Sequence, residues 1–199
     1  MSGEQMHDLG REGARRAKEW LEATTRVNAH WVNPDRYAMP KLSFYWADSA
    51  ARKFSFDLGG VLLGGDLHSQ MFLAESKFYK SDSDQGSLYL EYLAKCYCAL
   101  AASPERCDNF MWITWSPFSI KRWATLCTAP YVKEAITHHA GRVFGDQKRD
   151  PEIEGKMCED VARRLWLIVL SERQESLVVS REHRAIIQAH EVRRREGTL

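Results

Sequence analysis

The chain has neither a Cys-x-x-Cys pair nor a His-Glu-x-x-His run, and its five cysteines are an odd set. These absences argue against the common zinc modules and against a fully paired disulfide framework. Cys96 and Cys98 would stand about 200° apart around a helix, which makes them poor joint metal ligands. With Cys107, Cys127 and Cys158 they read as reduced, partly buried thiols. No apolar run approaches the roughly 20 residues that cross a bilayer. The polar start Met1-Ser2-Gly3-Glu4-Gln5 carries no signal-peptide core, so the cytoplasm is the expected location. An excess of one charge sign is missing as well, with 28 Lys and Arg against 27 Asp and Glu. Any nucleic-acid surface must therefore come from local clusters and not from a global polycation. There is no internal repeat and no low-complexity linker. A length of 199 residues with 44% apolar content suits one compact domain, or a core with an appended part.

What the chain does have is a pair of extended segments that bring acids and a lysine together. Phe54, Phe56 and Leu58 alternate with Ser55, Asp57 and Gly59, which turns Asp57 away from the apolar face. In the next segment Phe72, Ala74 and Phe78 alternate with Leu73, Glu75, Lys77 and Tyr79, so Glu75 and Lys77 share a face. The glycines of Gly59-Gly60-Val61-Leu62-Leu63-Gly64-Gly65-Asp66 are expected to make the turn between the two strands. Paired strands lie about 4.8 Å apart, so Asp57 and Glu75 can reach one small cation. A hard ion such as Mg²⁺ takes oxygen ligands and keeps waters for a substrate phosphate. Two further tripeptides of the same kind, Glu154-Gly155-Lys156 and Asp146-Gln147-Lys148, lie in polar surroundings and read as solvated surface charge.

This pattern resembles the PD-(D/E)XK superfamily, the restriction-endonuclease-like nucleases, over roughly residues 8 to 116. The resemblance implies a core of helix, three strands, helix and strand, with Asp57 on the second strand and Glu75-Ser76-Lys77 on the third. Gln85-Gly86-Ser87-Leu88-Tyr89 matches the Gln-x-x-x-Tyr motif of the RecB-like branch. Glu12, in Gly10-Arg11-Glu12-Gly13, stands close to where many members carry a helical glutamate. Implied roles follow: Asp57, Glu75 and the Ser76 carbonyl as ligands of Mg²⁺, which Mn²⁺ can replace, and Lys77 as the group that positions water or steadies charge. Gln85 would orient substrate or water and Tyr89 would contact the phosphodiester, while Glu12, at the edge of its helix's apolar stripe, either reaches the cleft or faces water in the first turn. The implied activity is hydrolysis of phosphodiester bonds, most naturally in DNA and as an endonuclease, in defence against foreign DNA or in repair. A homodimer or a partner protein in a larger complex is also expected, and a catalytically silent nucleic-acid-binding or assembly subunit of the same fold is the alternative. A mixed scaffold whose tryptophans serve a protein interface is a third reading.

The fold class expected is α/β (α+β), a central mixed β-sheet flanked by helices, with a nuclease-like core at 1–118 and a mostly helical extension at 119–199. Residues 8–27 read as an amphipathic helix with the stripe Leu9, Gly13, Ala17, Trp20 and Leu21. Residues 28–50 read as irregular apart from a strand at 41–46. A polar loop over Lys80-Ser81-Asp82-Ser83-Asp84 leads to a helix ending near Ala102, and a strand follows at 109–116. Helices are expected at 119–128 and 130–140, a polar stretch at 141–155, and a strand or helix end at 164–170. A short strand at 176–179 and a helix from Arg181 to about Glu196 complete the pattern.

Overall fold

The computed structural model describes residues 3–78, 84–147 and 149–197; Tyr79, Lys148 and all of the expected 80–84 loop except Asp84 lie outside them. Helix α1 (Gly3–Ala23) leads into strand β1 (Val27–Val32). After α2 (Met39–Leu42), β2 (Ser43–Tyr45) and β3 (Lys53–Ser55) form a two-stranded sheet of their own. Then come β4 (Leu58–Leu62), β5 (Met71–Lys77), α3 (Gln85–Ala102) and β6 (Asn109–Thr114). The last third of the chain holds α4 (Ala129–His138), α5 (Ala140–Phe144), α6 (Pro151–Ala162), β7 (Leu165–Val169), α7 (Glu172–Glu175) and α8 (Arg181–Arg195).

The main sheet runs β1-β4-β5-β6-β7. Strands β1, β4 and β5 pair antiparallel, whereas β5, β6 and β7 pair parallel, so the sheet is mixed. Parallel neighbours need a long crossover, and α3 is the one between β5 and β6. Both faces are covered. On one, Ala14, Ala17 and Leu21 of α1 pack on Val27, Leu58, Phe72, Ala74, Met111 and Ile113. On the other, Tyr89, Tyr92, Leu93 and Cys96 of α3, backed by α4 and α6, pack on Leu73, Phe110 and Trp112. Every residue of β6 is buried, as a central strand covered on both sides requires.

Several elements differ from the expectation. Gly59 and Gly60 are not a turn but the body of β4. A Cβ on Gly60 would lie 2.0 Å from the Asn28 carbonyl oxygen, so glycine is what lets β1 approach. The turn itself follows, around a short 3₁₀ helix at Gly65–Leu67. The expected strand through Phe54 and Leu58 is broken by a bend at Asp57. Phe56 therefore enters the α3-side core and Leu58 the α1-side core. Strand β1 starts at Val27, where the expected first helix ends, and runs into the stretch read as irregular, and 119–128 holds a 3₁₀ helix, Ile120–Thr125. The polar 141–155 stretch contains most of α5 and the start of α6, whose N-terminus Asp150 caps by accepting from the Glu152 and Ile153 amides. Residues 176–179 form no strand. Glu154 is not solvated: it is 3% exposed and bonded to Lys133 and Arg149. The part after residue 118 does more than pack on the core, because it supplies β7 to the sheet.

Candidate active site

The parallel pairing of β5 with β6 sets Glu75 beside Trp112 and Lys77 beside Thr114. Side-chain alternation then turns Glu75 and Lys77 to the α3 face, the face of Leu73 and Trp112. On the other side of β5, Leu58 pairs with Ala74 as the last pair of that register, and Asp57 precedes it at the bend. The Asp57 amide donates to the Ala74 carbonyl at 2.9 Å, one residue out of step with that register. Asp57 Oδ2 accepts from the Ser76 amide at 2.8 Å and from the Ser76 hydroxyl at 3.2 Å. The two carboxylates are thus fixed by neighbouring strands, at the end of β5 from which the chain leaves for α3.

Glu75 is buried, with 5% of its surface exposed. Its Oε1 accepts from Lys77 Nζ at 2.7 Å and lies 3.4 Å from Lys95 Nζ, which α3 lowers onto the sheet. Its Oε2 is buried with no hydrogen-bond partner among the described residues. The Trp112 indole N–H next to it in register and the Tyr92 hydroxyl of α3 share that condition. Buried polar atoms are nearly always satisfied, so an orphaned carboxylate oxygen in this layer marks a place for a ligand or a bound water.

The electrostatics separate the two acids. Burial pushes Glu75 up, but the Lys77 and Lys95 charges outweigh it and hold the carboxyl below its usual range. Asp57 goes the other way: burial and then the Glu75 charge raise it to about 6, against the pull of Lys77, the Ser76 amide and Lys95. Glu75 is therefore a fixed anion, and Asp57 is an acid that a cation would help to ionise.

The remaining sequence candidates divide. Gln85 is fully buried at the start of α3; its Oε1 accepts from Thr114 Oγ at 2.8 Å and its Nε2 donates to the Ser116 carbonyl at 3.4 Å. It ties α3 to the end of β6, next to the strand end that carries Lys77. Tyr89 is not brought to the cluster. Its ring is 1% exposed among Tyr92, Trp112, Phe118 and Tyr131, and its hydroxyl donates to the Leu126 carbonyl at 3.1 Å. Glu12 is not brought there either, because Arg15 binds it on the outer side of α1, at 2.6 Å from Oε1. Its neighbour Gly13 is the residue that meets the site strand: a Cβ there would lie 3.0 Å from the Phe78 Cβ and 3.4 Å from the Ser76 Oγ. Tight packing at position 13 leaves position 12 facing water.

No family model matches the chain, and no curated protein or solved structure does. What the site can do rests on its own chemistry.

Among the described residues no three His, Cys, Asp or Glu side chains gather into a metal cluster. The candidate side-chain donors are the two carboxylates, a set that suits a hard cation which keeps several waters. The orphaned Glu75 Oε2 fits such an ion. All five cysteines are free thiols, and Cys127 is the one not fully buried. No described helix is long and apolar enough to cross a membrane.

Lys95 is the member of the cluster that sequence reasoning missed. Its signal was available, since it is the only charged residue in Tyr92-Leu93-Ala94-Lys95-Cys96-Tyr97-Cys98-Ala99-Leu100. A lone charge in such a run has to find a partner inside the fold.

Proposed function

We propose that this protein is a divalent-metal-dependent nuclease of the PD-(D/E)XK kind, acting on phosphodiester bonds in DNA. The observation that carries the reading is the junction of Asp57, Glu75 and Lys77 at the shared end of β4 and β5, with one Glu75 oxygen left unbonded among the described residues. The element order supports it. Helix α1, the antiparallel strands β1, β4 and β5, helix α3 and the parallel strand β6 follow the sequence of elements that the resemblance implies, with the β2–β3 hairpin inserted.

Asp57, Glu75 and the Ser76 carbonyl are the oxygens that would hold Mg²⁺ or Mn²⁺. A divalent ion there supplies a water of lowered pKa and relieves charge on the phosphoryl oxygen. The protein's own contribution is position and charge. Ser76 fixes Asp57 through its amide and hydroxyl, so the carboxylate cannot swing away when it ionises. Lys77 brings an ammonium to the Glu75 carboxylate, where it can orient the attacking water or steady charge gathering on the phosphate. Gln85, bonded to Thr114 and Ser116, holds the start of α3 against the strand end and keeps that edge of the site rigid.

Plasmid nicking tests the reading. The wild-type protein is expected to nick supercoiled DNA in Mg²⁺ or Mn²⁺ and to stop in chelator. Asp57→Ala and Lys77→Ala should each abolish cleavage while circular dichroism shows an unchanged fold. Wild-type-like cleavage by either variant would overturn the assignment.

A further inference from the structure

A carboxylate with one lysine on it is compensated; Glu75 has two. Lys95 is largely enclosed, with 15% of its side chain exposed, and it sits between buried Ala94 and Cys96. Placing a second ammonium in such a layer is unfavourable unless its charge does something there. Counted together, Asp57 and Glu75 carry two negative charges when ionised, and Lys77 and Lys95 carry two positive ones. Among the described residues the site thus presents balanced charge to a divalent cation. A site of two acids and one lysine would instead be negative and would draw the ion in by itself.

We propose that Lys95 is a positioning residue that competes with the divalent cation for Glu75, so that metal and phosphodiester load together. In the absence of nucleic acid, Lys95 weakens metal binding by repulsion and by occupying the carboxylate. A phosphate arriving at the site brings the missing negative charge, offsets Lys95 and tightens the metal. The device would keep the protein from holding a reactive ion when no substrate is present. This inference deepens the nuclease reading and rests on it.

The test is Mn²⁺ titration of the intact protein by calorimetry, with tryptophan fluorescence as a second readout, on wild type, Lys95→Met, Lys95→Gln and Lys95→Arg. Removing the charge should tighten Mn²⁺ binding by at least roughly tenfold in the absence of DNA, the floor set by an ammonium about 6 Å from a divalent ion at the dielectric of bulk water. Lys95→Arg should behave as wild type. A short DNA duplex, added in Ca²⁺ to prevent turnover, should tighten Ca²⁺ binding in wild type and much less in Lys95→Met. A lysine that merely supports packing would leave metal affinity unchanged or weaken it in the neutral variants, and either result overturns the proposal. Lys95→Gln keeps a polar end and reports the same charge loss should Lys95→Met not fold. If wild type nicks DNA with Mg²⁺ while the neutral variants bind Mn²⁺ as it does, the inference fails and the nuclease reading stands. If wild type binds no Mn²⁺ at millimolar concentration and nicks nothing, both fail.

Discussion

Replacing Asp57 with asparagine should make this protein more stable at neutral pH. Asp57 is raised to about 6 by burial and by the Glu75 charge, against an ordinary value of 3.8. A carboxyl with a raised pKa contributes stability that is fully present below the ordinary value and is lost as the pH climbs through the raised one. Holding Asp57 near 6 corresponds to roughly 3 kcal/mol of destabilisation once it is ionised. The residue keeps part of its surface in water, which brings the expected effect to about 1 to 3 kcal/mol. The asparagine side chain would carry no charge and would still offer an oxygen to the Ser76 amide. The assay is urea unfolding in chelator at pH 5 and pH 8, followed by tryptophan fluorescence. Glu75 and other lowered acids lose stability at the acid end in both proteins, so the difference between the two curves isolates Asp57. That difference should be about half its full size at pH 5, which lies between 3.8 and 6, and should be complete by pH 8. An asparagine variant less stable than wild type at pH 8, or a difference independent of pH, would refute the reasoning.

Two further substitutions test the frame around the site. Tyr89→Phe leaves the Leu126 carbonyl without its donor inside the core and should cost about 1 to 2 kcal/mol in the same urea assay; unchanged stability would show that the hydroxyl makes no useful bond. Gly60→Ala puts a methyl group into the Asn28 carbonyl and should cost about 3 kcal/mol or prevent folding, whereas a variant that melts with wild type would mean that β1 does not pass so close to β4.

The elements with strong periodicity are legible in the chain. Helices α1 and α3, strand β5 with Glu75 and Lys77 on one face, and the buried run of β6 all stand where the pattern puts them. What the pattern misses is decided by neighbours far along the chain. Gly59 and Gly60 look like a turn because glycine usually makes one; only the approach of β1 shows that they belong to a strand. Strand β1 carries its own signal, since Val27, Ala29 and Trp31 alternate with the polar Asn28 and His30, but the aromatic, proline-broken run that follows masks it. Alternation puts Asp57 on the right segment for the wrong local reason: a bend, not a continuous strand, carries it to Glu75. Glu154 resembles a surface charge by its polar neighbours, yet Lys133 and Arg149 converge on it from 21 and 5 residues away. Tyr89 and Glu12 match motifs by spacing, and spacing alone does not say which way a side chain turns when Leu126 or Arg15 offers a closer partner.

Strand β7 is made late, and it covers the open side of β6. While a ribosome is still adding the residues between 114 and 165, the strand Asn109–Thr114 has one row of backbone groups with nothing to pair to, on a segment rich in aromatic and aliphatic side chains. A fragment cut after residue 118 would keep every group of the proposed site and yet present that sticky rim permanently, so it should clump more readily than the uncut chain.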